Sequence, residues 1–155
     1  MTTTLHDLMN KERNQDFATA TGNEMHLRLQ RISLDAPRAA DADLIARINA
    51  CAGLSEFFRA PARAEVPIAG NINGRFISRR MDRVIIDDVA KTVRILDYKT
   101  DTDRTARRAK YIAQLGEYAA LMRQIYPDFK IDASILWLHD WTLEKVRTIE
   151  PARRI

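Results

Sequence analysis

A single cysteine, Cys51, is all the sulfur chemistry the chain offers, and this excludes an internal disulfide and any cysteine-ligated zinc or iron–sulfur cluster. Cys51 closes the run Leu44-Ile45-Ala46-Arg47-Ile48-Asn49-Ala50-Cys51, an apolar helical pattern, and so reads as plain packing. Glycine and proline number five each, too few for a fibrous or disordered chain. No uninterrupted apolar run approaches membrane-spanning length, so no membrane partner is expected. The N-terminus has early acidic residues and no signal-like apolar stretch, which makes the cytoplasm the expected location. A phosphate-binding loop of the nucleotide-hydrolase kind is missing, so no ATP site is expected. Neither sign of charge dominates. Twenty-five basic against twenty-one acidic residues leave a formal charge of +4, which permits a polyanionic partner without demanding one.

What remains is 155 residues with 46% hydrophobic and 30% charged side chains, enough for one domain with a real core. Residues 1–21 are polar and threonine-rich and read as an N-terminal arm or short helix; residues 22–155 read as the domain proper. A helix is expected from about Asn23 to Ile32, where Met25, Leu29 and Ile32 recur at helical spacing and Leu27 broadens the face. Ser33 to Ala42, with Pro37, reads as a linker. A second helix is expected from Asp41 to Cys51, with Asp41 capping its first turn, and Leu54, Phe57 and Phe58 follow it into the core. Strands are then expected at Arg63–Ile68, Arg75–Ile86 and Thr92–Tyr98. Pro67 suggests an edge position for the first of them, and Asn71-Ile72-Asn73-Gly74 reads as a turn. Arg107 to Ile125 reads as a long amphipathic helix with a stripe of Tyr111, Leu115, Tyr118, Met122 and Ile125, ended by Pro127. Ile131–Leu138 and Glu144–Ile149 read as two further strands. A helix between the third and fourth strands favours an α/β fold with a central mixed β-sheet flanked by helices.

Against this frame, Leu96-Asp97-Tyr98-Lys99 stands out. Alternation along a strand puts Asp97 and Lys99 on one face. Asp82, on the preceding strand, brings a second carboxylate if both strands, about 4.8 Å apart, point these side chains the same way. Carboxylate oxygens and water suit Mg²⁺ or Mn²⁺. Such an ion polarises a phosphate and acidifies water, while the Lys99 ammonium stabilises charge that builds up in the transition state. Whether Lys99 accepts a proton stays open. The same spacing also occurs on ordinary surface strands with no chemistry attached. Gln114 and Tyr118, four apart on one helix face, either bind phosphate and fix Lys99, or leave the glutamine solvated and the tyrosine packed. His26 alone reads as a core or rim residue rather than a ligand, and His6 and His139 have no supporting pattern.

Taken together, these residues resemble the RecB/AddA-like branch of the PD-(D/E)XK nucleases, with most specificity to the AddA nuclease domain, over about residues 22 to 149. Gly22-Asn23-Glu24-Met25-His26-Leu27-Arg28-Leu29 looks like the family's glycine-to-histidine helix motif, which implies His26 as a metal ligand. Glu65-Val66-Pro67-Ile68 is similar to the strand that opens the sheet and implies Glu65 near the site. Met81-Asp82-Arg83-Val84 matches the first acidic motif. Leu96-Asp97-Tyr98-Lys99-Thr100 is the most specific signature, implying Asp97 as ligand and Lys99 as catalytic. Gln114-Leu115-Gly116-Glu117-Tyr118 is like the glutamine–tyrosine helix motif.

The resemblance implies a restriction-endonuclease-like core in αβββαβ order. It also implies Mg²⁺- or Mn²⁺-dependent hydrolysis of DNA, of exonuclease type on single-stranded ends during break repair and recombination. Arg79, Arg80, Arg83, Arg104, Arg107, Arg108 and Lys110 are the candidate backbone contacts. Two departures stand out. Arg79 and Arg80 occupy the stretch before Asp82 where family members commonly have a glycine, and no helicase motor accompanies the domain in these 155 residues. A helicase or AddB-like partner subunit is therefore expected to deliver DNA. Oligomeric state is open; the alternatives are a DNA-binding or assembly module with weak or no catalysis, and a stand-alone nuclease acting on another nucleic acid.

Overall fold

The structure, a computed structural model, describes residues 22–152. The chain divides into two compact units, Met1–Arg31 and Ile32–Ile155. The expected N-terminal arm lies outside the described residues. In the first unit, residues 22–30 form helix α1. Leu29 is buried, as its spacing predicts, but Leu27 is half exposed and does not broaden the apolar face. Ile32 lies beyond the helix end.

The second unit opens with a 3-10 turn, Ala39–Asp41, leading into α2, Ala42–Ala50. Asp41 stands at the N-cap but makes no side-chain cap bond. Its Oδ2 instead accepts from Arg38 Nε at 3.0 Å. A second 3-10 turn, Ser55–Phe58, buries Phe57 and Phe58. Five strands follow: β1 Arg63–Ile72, β2 Arg75–Asp87, β3 Thr92–Lys99, β4 Lys130–Trp137 and β5 Thr142–Ile149, with α3, Arg104–Ile125, between β3 and β4. They lie in the order β1-β2-β3-β4-β5. Only the β3–β4 pair is parallel, which is what a helical crossover permits. This is the mixed α/β core the sequence pattern calls for.

Local chemistry explains the boundaries. β1 runs through Ile72, so the turn is just Asn73-Gly74, both at positive φ (51° and 81°), as a two-residue hairpin of the primed type requires. Asp87 Oδ1 accepts from Val89 N and Ala90 N and tightens the β2–β3 turn. α3 starts one turn earlier than its apolar stripe, because Asp103 caps it by accepting from Thr105 N at 3.0 Å.

β3 is buried on both faces. Val93 and Ile95 join the core under α3 together with Leu115, Tyr118, Ala119, Leu121 and Met122. Leu96 and Tyr98 point the other way, where Phe58 stacks on Tyr98 (centroids 6.4 Å, interplanar angle 13°). Ile125, expected in the stripe, is more than half exposed, whereas Met122 one turn earlier is buried. At Gly70 the helix and β1 approach so closely that a Cβ would lie 2.9 Å from Leu121 Cδ2. No described helix is long and apolar enough to cross a membrane.

Candidate active site

β3 delivers Asp97 and Lys99 at its C-terminal end, on the same face as Val93 and Ile95. Asp97 Oδ2 lies 2.8 Å from Lys99 Nζ, an expected pairing of neighbours on one face. The contact is an ion pair off the line of a hydrogen bond, and this buried oxygen has no hydrogen-bond partner. Lys99 Nζ donates instead to Gln114 Oε1 at 2.9 Å, and Gln114 Nε2 donates to Tyr118 Oη at 2.9 Å. Gln114 is therefore not merely solvated: α3 lays a relay of polar groups along the two strand residues. Tyr111, one turn before Gln114, closes the other side with its ring centroid 4.3 Å from Lys99 Nζ. Its hydroxyl donates to Asp101. The apolar stripe hid Tyr111 as a core residue; its three-residue offset from Gln114 was the available signal for shared placement.

A switch of faces brings Asp82 to the same place. Ile77 and Met81 belong to the core under α3, and so does Val84, although strict alternation would put Val84 on the opposite side from Met81. The change falls at Asp82 and Arg83, within a run of buried residues from Met81 to Ile85. Opposite Asp82 in β1 sits Glu65, whose φ of 54° is left-handed, and the β1–β2 pairing passes from Ala64↔Arg83 to Val66↔Met81 across it. The β2–β3 ladder runs only as far as Arg83↔Leu96. Beyond it, Tyr98 N donates to Asp82 Oδ2 at 2.8 Å.

The electrostatics follow from this crowding. Burial, then the neighbouring Asp97 carboxylate, push the Asp82 carboxyl up to about 8; the Tyr98 N–H opposes the rise and the Glu65 carboxylate adds to it. Burial, then the Asp97 and Asp82 carboxylates, raise the Tyr118 phenol, so it is a proton donor at neutral pH. Two carboxylates at one buried point, one with an unpartnered oxygen and one that resists ionising, fit a hard divalent cation held by few protein oxygens plus water. Among the described residues no group of three or more His, Cys, Asp or Glu side chains is gathered to hold a metal, so an ion here would rest on the pair. His26 lies on α1 in the first unit, half-buried. Glu65 Oε2 is 3.8 Å from Arg80 Nη1.

The expected backbone contacts divide. Arg83 is buried and committed: Nε donates to Tyr98 Oη at 3.1 Å, Nη1 to Phe57 O at 3.3 Å and Nη2 to Ile32 O at 2.9 Å, with its guanidinium over the Phe58 ring. It is a scaffold residue and not a surface charge. Arg79 flanks Tyr118 and lies 3.4 Å from Glu117 Oε2. Arg104 pairs with Asp140 and stacks on Trp137, Arg107 lies 3.9 Å from Asp101, and Arg108 Nε donates to Glu144 Oε1 at 2.8 Å. Arg80, Arg107, Arg108 and Lys110 are exposed at the surface or nearly so.

The pattern of the PD-(D/E)XK nuclease superfamily matches residues 54–152, and the chain belongs to that superfamily. The matched span takes in all five strands, α3 and the carboxylate–lysine site. No curated protein matches the chain. Among solved structures, it is similar to one described as the crystal structure of SSO0001, at 15% identity and a TM-score of 0.43, covering 94% of this chain and 62% of that one.

Proposed function

We propose that the chain is a metal-dependent deoxyribonuclease of the RecB/AddA-like branch, hydrolysing DNA phosphodiesters from single-stranded ends in break repair and recombination. The observation that carries this is the contact of Asp97 with Lys99 beside Asp82, in which a buried Asp97 oxygen is left without a hydrogen-bond donor. Asp82 and Asp97 would hold Mg²⁺ or Mn²⁺, and His26 is proposed as a further ligand from the motif it stands in. A bound ion of this kind supplies Lewis-acid polarisation of the phosphate and lowers the pKa of water.

The remaining work falls to the chain itself. Lys99, held by Gln114 Oε1 and capped by the Tyr111 ring, presents its ammonium to the phosphoryl oxygens, where negative charge grows as water attacks. Gln114 and Tyr118 fix its direction, so little reorganisation is needed at the moment of reaction. The Tyr118 hydroxyl, kept protonated, accepts from Gln114 Nε2 and so retains its own proton to offer a phosphate oxygen. Glu65 borders the site from β1 and is proposed to orient water. Arg79, Arg80, Arg104, Arg107, Arg108 and Lys110 are proposed to track the DNA backbone, the five arginines exchanging their present carboxylate partners for phosphates. A helicase or AddB-like subunit is proposed to deliver the strand, in the cytoplasm.

The test is cleavage of end-labelled single- and double-stranded DNA with Mg²⁺ or Mn²⁺, in the wild type and in Asp97→Ala and Lys99→Ala. Metal-dependent cleavage lost in both variants is the expected result. Turnover that survives either substitution refutes the assignment.

A further inference from the structure

Strand spacing at the carboxylate pair has an unusual origin. Two strands of a sheet are normally held at fixed separation by their backbone ladder. The ladder between β2 and β3 ends at Arg83↔Leu96, one residue short of Asp82 and Asp97 on either strand. The carboxylates therefore sit where that ladder no longer sets the distance between the strands. Side-chain links bridge this stretch, and two of them meet at Tyr98. On the site face, Asp82 Oδ2 accepts from Tyr98 N. On the opposite face, Arg83 Nε donates to Tyr98 Oη at 3.1 Å. Arg83 directly follows Asp82, and Tyr98 lies between Asp97 and Lys99. The Arg83–Tyr98 hydrogen bond thus joins neighbours of all three site residues on the face away from the site.

The link is anchored and stiff. Both residues are almost fully buried, Arg83 at 5% exposure and Tyr98 at 1%. The Arg83 guanidinium is also held by Phe57 O and Ile32 O, and it lies 4.4 Å from the Phe58 ring centroid. Phe58 in turn stacks on Tyr98. A planar guanidinium with donors locked on three acceptors has little freedom to follow a drifting strand. A tyrosine rigid in two torsions, with its hydroxyl fixed, transmits that position to the backbone of β3.

We infer that the Arg83–Tyr98 hydrogen bond is the positioning device that fixes the separation of the Asp82 and Asp97 strand ends, and so the bite that the two carboxylates offer a divalent cation. Neither residue touches the reacting atoms. Both act through the backbone of their neighbours. The inference rests on the proposed metal-dependent function for its consequence, but the mechanical part stands by itself.

The experiment uses the full chain, metal-free and then with Mn²⁺ alone. Tyr98→Phe keeps the buried ring and removes the acceptor; Arg83→Lys keeps the charge and removes the fork. Ile131→Ala, at the opposite end of the β3–β4 pair, is the control for lost packing. Amide exchange by NMR reads the mechanical part. In both clamp variants the amide at position 98 should exchange about tenfold faster relative to Ile95 than in the wild type, whereas Ile131→Ala should shift both amides together. Mn²⁺ titration reads the consequence: affinity should fall about tenfold in the clamp variants, the scale seen when groups that orient metal ligands are removed, and stay unchanged in the control. Unchanged relative exchange at position 98 overturns the inference, as does faster exchange with unaltered Mn²⁺ affinity. A wild-type chain that binds no Mn²⁺ instead refutes the metal reading of the site, and the exchange ratio then decides the clamp by itself.

Discussion

Asp82 makes the metal-free protein sensitive to pH in a direction opposite to that of most carboxylates. Its carboxyl lies near 3.8 in an unfolded chain and is pushed to about 8 in the folded one, first by burial and then by the Asp97 carboxylate. Between these values the folded state holds a proton that the unfolded state releases, so stability falls as pH rises. The contribution is fully present below about 3.8 and is lost as pH passes through about 8. Between pH 5 and pH 8 the loss is about 4 kcal/mol, a large fraction of a small domain's stability. The assay is urea unfolding in EDTA at several pH values, with Asp82→Asn as the reference. Asparagine keeps an oxygen for the Tyr98 N–H but cannot titrate, so the wild-type minus variant difference reports the Asp82–Asp97 pair apart from the other carboxylates. That difference should decline steadily from pH 5 to pH 8. Mn²⁺ should reduce the decline, because an ion bound to the folded state favours the ionised carboxylate. Parallel wild-type and variant profiles in EDTA would show that Asp82 is not strained in this way.

Other substitutions probe the scaffold and the lysine relay. Gln114→Ala removes the Lys99 acceptor and a Tyr118 partner together; kcat for DNA cleavage should drop roughly 10²-fold with little change in melting temperature. Arg83→Met leaves the buried Phe57 and Ile32 carbonyls without this donor and should cost about 3 kcal/mol in urea unfolding. Gly70→Ala forces Leu121 and Gln124 to move from under β1 and should cost about 1–2 kcal/mol. Gly74→Ala meets nothing in space but holds φ at 81°, so a loss of about 1 kcal/mol there would be purely backbone in origin.

Periodicity carried the fold because the sheet buries its strands in the plain way. β3 reads correctly from Val93 to Tyr98, and Pro67 does lie in the edge strand β1. Asp97 and Lys99 share a face by alternation alone, and they touch. The failures have physical causes. Arg83 looks like a surface charge because its acceptors lie 26 and 51 residues away in sequence, beyond any local pattern. Asp41 fails as a cap because Arg38 takes its carboxylate. The first turn of α3, Arg104-Thr105-Ala106-Arg107, has no large apolar residue to mark it, and its start at Arg104 carries the Asp103 cap. The face switch at Asp82 lies opposite a left-handed Glu65, a residue type that gives no warning of positive φ.

The edge strand β1 bears on how a partner can approach. An exposed edge is ordinarily a template on which another chain adds a strand. Here that row is broken twice within three residues: Glu65 turns the backbone left-handed, and Pro67 carries no N–H to offer. A guest strand laid along β1 would lose register beside the very carboxylates it might otherwise cover. A partner that approaches this edge would therefore have to grip it by side chains, and the rim next to Glu65 would not be covered by an added strand.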